Sequence, residues 1–183
     1  MKEELIVQFF NRLGYGTILD TITNSISYIP FLIGLWLVLG IIALFLDKKN
    51  GKVVFVSAII AIALHFLISE GVFKYLVADY VMRVRPYIEH PGLIVGMGYD
   101  MFKDSSFPSS HMASSLAVLT VFTYFYRKVW PVVLVFVLFM AFSRLHMGMH
   151  YPSDVLAGIV LGITYGFLGI FIAKKIFKRK KLK

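Results

Sequence analysis

The stretch YIPFLIGLWLVLGIIALFL, residues 28–46, contains no charged residue and no two-residue alternation of polar and apolar side chains. A helix of about 20 apolar residues crosses the ~30 Å hydrocarbon core of a bilayer. Comparable apolar runs occupy residues 53–73, 110–126, 129–147 and 155–173. Because continuous runs suit spanning helices and not the alternating strands of a membrane barrel, we predict an all-α integral membrane protein with five transmembrane helices.

The composition agrees with this prediction. Of the 183 residues, 58% are hydrophobic and 16% are charged, against about 45–50% and about 25% in soluble domains, which excludes a water-soluble globule. There is no cysteine, so the chain has neither a disulfide nor a thiolate metal site. We find no linker or long repeat, and predict a single domain over residues 1–183. Residues 1–25 are too polar to span the membrane, and we predict an interfacial helix there.

The basic residues are concentrated in three segments, 47–52, 127–128 and the tail 174–183. Together these hold twelve of the nineteen Lys and Arg residues and one of the ten acidic residues. The positive-inside rule places them in the cytoplasm, so that the N-terminus, residues 85–108 and the turn 148–153 lie outside. The net charge of +9 is therefore a topology signal with contact to anionic lipids, not a nucleic-acid surface. We predict a multi-pass protein of the inner (plasma) membrane.

Three polar motifs lie at the predicted outer ends of the helices. They are RVRPY at 83–87, FPSSH at 107–111 and SRLHMGMHYPSD at 143–154. Arginines at membrane depth are costly and usually face a cavity or a partner, although a single one can snorkel to the headgroups. Since all three motifs share one side of the membrane, we predict an anion site there, with residues 85–108 as an active-site loop.

The FPSSH motif has the features of a phosphate-binding helix start. Ser109 or Ser110 can cap the helix, and exposed backbone N–H groups together with the helix dipole bind phosphate. His111 then lies in the first turn, where a general acid can protonate a leaving oxygen.

The third motif has the spacing S-R-x5-H-x3-D, with Arg144, His150 and Asp154 as its ionisable members. An imidazole whose second nitrogen bonds a carboxylate is held in one tautomer and becomes a better nucleophile or base. We therefore predict that Asp154 bonds His150. The planar guanidinium group of Arg144 can donate paired hydrogen bonds to phosphate oxygens.

A zinc site is the competing interpretation of this motif. His146 and His150 have the H-x3-H spacing of zinc-binding helices. Gly148 and Pro152 argue against a continuous helix through them, and only one carboxylate is nearby. We therefore favour an anion site without a metal.

Taken together, Arg85–Pro86, Pro108–His111 and Ser143–Asp154 resemble the motifs of the type 2 phosphatidic acid phosphatase family. The resemblance covers about residues 50–175. These integral-membrane lipid phosphatases are related in fold to the vanadium haloperoxidases, so the resemblance implies a helical bundle of that kind.

The resemblance also implies roles for the site residues. His150 attacks phosphorus to form a phosphohistidine, Asp154 orients its ring, and His111 protonates the leaving lipid oxygen. The phosphate oxygens are held by Arg85, Arg144, Ser109 and the backbone of Ser110. No metal or cofactor is implied.

Two positions depart from the family pattern. Ser110 stands where glycine is common, which keeps the backbone N–H. The first motif usually reads K-x6-R-P, and its lysine position is Ala78 here. At 100° of rotation per residue, Lys74 lies on the same helix face as Ala78, but it is one turn, about 6 Å, farther from the site. Glu70 lies four residues before Lys74, a spacing at which the two side chains can pair. Lys74 is thus a candidate phosphate ligand. The alternatives for the missing charge are Arg83 and Lys103.

The predicted function is metal-independent removal of phosphate from membrane lipid phosphates or diphosphates at the extracytoplasmic face. Candidate substrates are phosphatidylglycerol phosphate, undecaprenyl diphosphate, phosphatidic acid and lipid A 1-phosphate. The expected partners are the lipid substrate and the bilayer, with no nucleic acid and no obligate protein partner. The alternatives are a phosphotransferase of the same family, a catalytically dead lipid-binding relative, and a small anion or lipid transporter, which needs polar groups near the midplane.

Overall fold

The computed structural model describes residues 2–76, 82–98 and 104–180. Within these residues the chain forms helices and no strand. The helices are α1 (Glu3–Arg12), α2 (Ile18–Ile26), α3 (Ile29–Leu46), α4 (Gly51–His65), α5 (Pro86–Glu89), α6 (Ser110–Phe125), α7 (Trp130–His146) and α8 (Pro152–Lys180). A π-helix over Phe66–Leu76 continues α4, and one 3-10 turn at Arg127–Val129 precedes α7.

The N-terminal segment forms two helices, where the sequence predicts one interfacial helix. The turn between α1 and α2 contains two glycines with positive φ, Gly14 at 65° and Gly16 at 78°, a backbone conformation that favours glycine. The Thr17 hydroxyl then accepts the Leu19 N–H and caps α2. Two short helices therefore lie against the end of the bundle.

Four of the described helical segments are long and apolar enough to span a membrane: Ile29–Leu46, Gly51–Lys74, Arg127–His146 and Pro152–Lys178. This finding supports a multi-pass membrane protein and confirms the prediction of five spans only in part. The remaining candidate, α6, has 16 residues, or about 24 Å of helix, and lies below the usual length of a span.

Helix α6 packs directly against the backbone of α8. A Cβ added at Gly158 would lie 2.6 Å from the Ser109 carbonyl oxygen, and one at Gly162 would lie 2.6 Å from that of Ala113. Small residues at this spacing let two helices approach closely. The amino ends of α6 and α8 therefore meet at one end of the bundle, where the Ser109 N–H donates to the Asp154 carbonyl at 3.1 Å.

The opposite end of the bundle carries the basic segments. The Tyr126 hydroxyl donates to Asp47 at 3.0 Å, and Lys174 donates to the Tyr124 hydroxyl at 2.7 Å. These bonds join the loop after α3, the turn after α6 and the end of α8. The three motifs with unusual polar residues lie at the other end.

Candidate active site

His150 lies in the turn between α7 and α8. This turn depends on Gly148, whose φ is +67° and whose added Cβ would lie 2.9 Å from the Val95 carbonyl oxygen. The His150 Nδ1 lies 2.8 Å from the Ser106 carbonyl oxygen. A carbonyl only accepts hydrogen bonds, so we assign the proton to Nδ1, which leaves a lone pair on Nε2.

The His150 imidazole is held neutral by its surroundings. Burial lowers its pKa well below the ordinary value, and the nearby Arg85, Arg144 and His111 lower it further. The Arg85 Nη1 lies 3.5 Å from the His150 Nε2. A neutral ring with its lone pair beside a guanidinium is suited to attack a bound anion.

Asp154 is close to His150 but is not hydrogen-bonded to it. The Asp154 Oδ2 lies 3.8 Å from the His150 Nδ1, which is longer than a hydrogen bond. Instead Oδ2 accepts the Tyr151 N–H at 2.8 Å, and Oδ1 accepts from Arg83 at 2.8 Å. The predicted bond between His150 and Asp154 is thus replaced by the Ser106 carbonyl, because Asp154 serves as an acceptor for the first turn of α8.

Two buried arginines lie beside His150. Arg85 donates to Asp104 Oδ1 at 2.7 Å and to the Met149 carbonyl at 3.2 Å. Arg144 donates to the Met147 sulfur at 2.7 Å, and no carboxylate of the described residues pairs with it. The Arg144 Nε has no hydrogen-bond partner among the described residues. A buried cation without a counter-ion is costly, so an anion bound next to Arg144 is strongly favoured.

Lys74 reaches the site although the sequence places it one turn too far away. Its Nζ lies 2.8 Å from Asp104 Oδ2 and 3.4 Å from Glu70 Oε2, so it makes the predicted pair with Glu70 and a second pair inside the site. The position expected for Lys74 along the helix axis assumes an α-helix with 3.6 residues per turn. Lys74 instead lies in the π-helix, which has i→i+5 hydrogen bonds and more residues in each turn.

Asp104 links the two cations of this part of the site. Burial raises its pKa, but the hydrogen bonds and charges of Lys74 and Arg85 outweigh burial and hold the pKa below its usual value. Asp104 is therefore ionised, and its carboxylate pairs with both Lys74 and Arg85. Of the other sequence candidates, Arg83 bonds Asp154 and Glu3, whereas Ala78 and Lys103 lie outside the described residues.

The FPSSH motif lies against the same group of residues. Ser109 precedes α6, and its buried Oγ caps nothing and has no hydrogen-bond partner among the described residues. The Ser110 hydroxyl donates to Glu70. The His111 Nε2 lies 2.8 Å from the Ser27 carbonyl oxygen, which we assign as its acceptor.

One cavity of about 400 Å³ joins these polar groups to an apolar arm. Its polar end is lined by Lys74, Arg85, His111, Arg144 and His150. Its apolar arm runs between α3 and α4 and is lined by Leu32, Trp36, Gly40, Phe55 and Ile62 among others. The lining of the cavity therefore suits an amphiphilic molecule that has an anionic head and a hydrocarbon tail.

Sequence reasoning missed the residues that hold the two histidines of the candidate site. Ser27 and Ser106 act through their backbone carbonyls, which carry no signal in the side chain. Asp104 follows the Gly-rich part of the 85–108 loop and is recognisable only as an acid in a segment predicted to bind anions. Glu3 is visible only as an acid in the first turn of a helix.

The described residues contain no group of three or more His, Asp or Glu side chains placed to hold a metal ion. His146, the second histidine of the competing zinc motif, lies 2.9 Å from the Leu13 carbonyl and 3.2 Å from the Thr23 hydroxyl. Both of its ring nitrogens are therefore used to hold the N-terminal helices.

A membrane-embedded helical bundle with an anion pocket of histidines and arginines at one end defines an integral-membrane phosphatase. The profile of the PAP2 superfamily matches residues 52–178, and the chain belongs to this family. The predicted membership of the type 2 phosphatidic acid phosphatases and the predicted hydrolase class are thus confirmed.

Among curated proteins, the chain is 33% identical to undecaprenyl-diphosphatase BcrC of Bacillus subtilis (strain 168), over 92% of this chain and 82% of that one. It is 27% identical to lipid A 4'-phosphatase of Bacteroides thetaiotaomicron, over 95% of this chain and 78% of that one.

Two solved structures share the fold. Aquifex aeolicus LpxE superposes with a TM-score of 0.71 at 19% identity, covering 91% of this chain and 93% of that one. The transmembrane PAP2-type phosphatidylglycerolphosphate phosphatase of Bacillus subtilis gives 0.68 at 22% identity, covering 95% and 85%.

Proposed function

We propose that the protein removes phosphate from membrane lipid phosphates or diphosphates through a phosphohistidine on His150. The observation that carries this proposal is one continuous cavity, whose polar end holds His150 and both buried arginines and whose apolar arm lies between α3 and α4. A head bound at the polar end leaves the tail of the lipid in the apolar arm.

In the first half-reaction the His150 Nε2 lone pair forms a bond to phosphorus while the bond to the leaving lipid oxygen breaks. His111 starts this step protonated on both ring nitrogens and gives its Nδ1 proton to that oxygen, while its Nε2–H stays on the Ser27 carbonyl. Arg85 and Arg144, with the Ser109 hydroxyl and the backbone of Ser110, hold the other phosphate oxygens and offset their charge. In the second half-reaction water attacks phosphorus, His111 takes a proton from it, and the bond to His150 breaks with release of phosphate.

The position in the membrane is part of the proposal. We place the five apolar segments across the inner (plasma) membrane, with α6 as the short central span between α4 and α8. The basic ends then lie in the cytoplasm, and residues 85–108 form part of an active site on the extracytoplasmic face. Lipid substrates reach such a site from within the bilayer.

Undecaprenyl diphosphate heads the list of substrates, because the relative that matches over 92% of this chain is named an undecaprenyl-diphosphatase. Phosphatidylglycerol phosphate, phosphatidic acid and lipid A 1-phosphate follow. The transporter alternative needs polar groups at the midplane, whereas the polar lining of this cavity is at one end.

The experiment is phosphate release from these four lipids by the purified protein in detergent, with His150→Ala as the matched control. We expect release from at least one lipid by the wild type and none above background by the variant. A phosphorylated alcohol as the main product, in place of free phosphate, would instead support the phosphotransferase. Equal release by wild type and variant would contradict the proposed mechanism.

A further inference from the structure

A group of charged residues that does not line the cavity joins the N-terminal helix to Asp154. The Arg83 Nη1 lies 2.8 Å from Asp154 Oδ1, and its Nη2 lies 2.6 Å from Glu3 Oε2. The other Glu3 oxygen accepts the Ser153 N–H at 2.8 Å. Glu3 in α1 therefore binds both the guanidinium and the first turn of α8.

The Arg83 side chain is held in one orientation by several contacts. Its Nη1 also donates to the Ser153 hydroxyl at 2.6 Å. Its guanidinium carbon lies 3.8 Å from the centre of the Tyr151 ring, a cation–π distance, and the Tyr151 hydroxyl donates to Glu89 at 2.5 Å. Two carboxylates, a hydroxyl and an aromatic face leave the guanidinium little freedom.

The charges of this group depend on one another. Asp154 is fully buried, and its carboxylate has Arg83 as its cation. Burial lowers the pKa of Arg83, but the bonds to Glu3 and Asp154 raise it overall. Burial likewise raises the pKa of Glu3, and the bonds from Arg83 and Ser153 bring it below its usual value. Glu3 and Arg83 are therefore charged together, and Arg83 is the cation next to the Asp154 carboxylate.

We propose that Glu3 and Arg83 are positioning residues, which fix the Asp154 carboxylate beside His150 and so couple catalysis to the docking of the N-terminal helix. This inference rests on the proposed function, in which His150 is the nucleophile. With Oδ1 held by Arg83, the Asp154 Oδ2 is fixed on the Tyr151 N–H, the backbone group next to His150. Loss of Glu3 or Arg83 frees the carboxylate and the turn that carries the nucleophile.

The kinetic test uses Glu3→Gln, Arg83→Gln, Arg83→Lys and the double variant of Glu3→Gln with Arg83→Gln. Glu4→Gln is the matched control, because it removes the same charge one residue along α1. We expect kcat to fall about tenfold to a hundredfold in Arg83→Gln with KM nearly unchanged, since a misplacement of about 1 Å costs up to a hundredfold. Arg83→Lys should recover part of the loss. The double variant should be no slower than Arg83→Gln alone, because both residues act through one carboxylate.

A second readout is independent of any lipid substrate. The titration of the His150 ring is followed by NMR in protein labelled at its histidines, with His150→Gln to assign the signal. In Arg83→Gln the Asp154 charge loses its cation, so the pKa of His150 should rise toward its ordinary value, while Arg85, Arg144 and His111 still face the ring. Glu4→Gln should titrate as the wild type does.

The two readouts separate the inference from the proposed function. A shifted His150 titration in a protein that hydrolyses none of the lipids would support the coupling and contradict the proposed function. The coupling would be overturned if three variants had the same kcat and the same His150 titration as Glu4→Gln. These variants are Glu3→Gln, Arg83→Lys and Arg83→Gln. The milder Glu3→Gln and Arg83→Lys keep the test decisive if Arg83→Gln does not fold.

Discussion

The carbonyl oxygen of Ser106 lies 2.8 Å from Nδ1 of His150, and this contact determines which ring nitrogen carries the lone pair. With the proton on Nδ1, the Nε2 lone pair lies on the side of Arg85, at 3.5 Å from its Nη1. The proposed reaction follows from this tautomer.

We expect His150→Ala to lower turnover by several orders of magnitude, because the covalent route is lost. The wild type, mixed with lipid carrying a radioactive phosphate and quenched in alkali, should retain label on His150. His90, in the loop after α5, provides the control, and His90→Ala should label as the wild type does. Near-normal hydrolysis by a folded His150→Ala protein would contradict the mechanism.

The low pKa of His150 predicts an unusual acid limb in the pH profile. An ordinary histidine loses its nucleophilic form below about pH 6.5. Burial and the two arginines lower the pKa of His150, so the ring stays neutral and kcat/KM should persist as the pH falls through that value, declining only at lower pH. The profile is corrected for the substrate's own titration by phosphorus NMR. An acid limb at or above the ordinary histidine value would refute this assignment.

Asp104 pairs with Lys74 and Arg85, and we expect it to compete with substrate for both. Asp104→Asn should lower KM, and the vanadate concentration needed for inhibition, about three- to tenfold, as expected for roughly 1 kcal/mol of competition at a partly exposed ion pair. The melting temperature should fall, because buried Arg85 loses its counter-ion. Asp47→Asn, at the other end of the bundle, is the control. A raised KM in Asp104→Asn would show that Asp104 assists binding instead.

Catalysis is expected to continue when metals are removed. In the proposed mechanism the His150 lone pair is the nucleophile and the arginines stabilise the charge, so phosphate release should be the same with and without EDTA. Vanadate should inhibit by imitating five-coordinate phosphorus. Loss of activity on chelation, restored by zinc, would revive the zinc interpretation of His146 and His150.

The orientation of the site is testable with single cysteines in this cysteine-free chain. Leu93 in the 85–108 loop is 52% exposed, and it is a better position than Gly92, whose φ of +89° disfavours a side chain. Leu93→Cys should react with an impermeant maleimide in intact cells or spheroplasts. Lys49→Cys, in the basic loop after α3, should react only after lysis, and the reverse pattern would invert the topology.

The sequence predicts which motifs meet, because each lies at a helix end on one side of the apolar runs. Arg85, His111, Arg144 and His150 do line one cavity. The reach of Lys74 was not predictable, because nothing in FLISEGVFKYL distinguishes a π-helix from an α-helix by its apolar spacing. The hydrogen-bond acceptors of the two histidines were also beyond sequence reasoning, because a backbone carbonyl is the same at every residue.

The N-terminal segment differs most from its prediction. Its polarity correctly excludes a span, but polarity alone does not say what the segment contacts. Asn11 bonds the backbone of Val95 and His146, and Asn24 lines the cavity. These contacts depend on tertiary packing, so the sequence did not show that a segment predicted to lie on the membrane surface also lines part of the site.

The apolar arm of the cavity leads out between α3 and α4, where Ile33, Leu37 and Ile59 are exposed on the outer surface of the bundle. An enzyme that takes its substrate through such a side opening responds to the mole fraction of the lipid in the plane of the membrane. Adding inert detergent or lipid at constant bulk substrate therefore slows the reaction by surface dilution. In a cell, we expect the rate of such an enzyme to follow the fraction of its substrate in the leaflet more closely than the total amount of substrate.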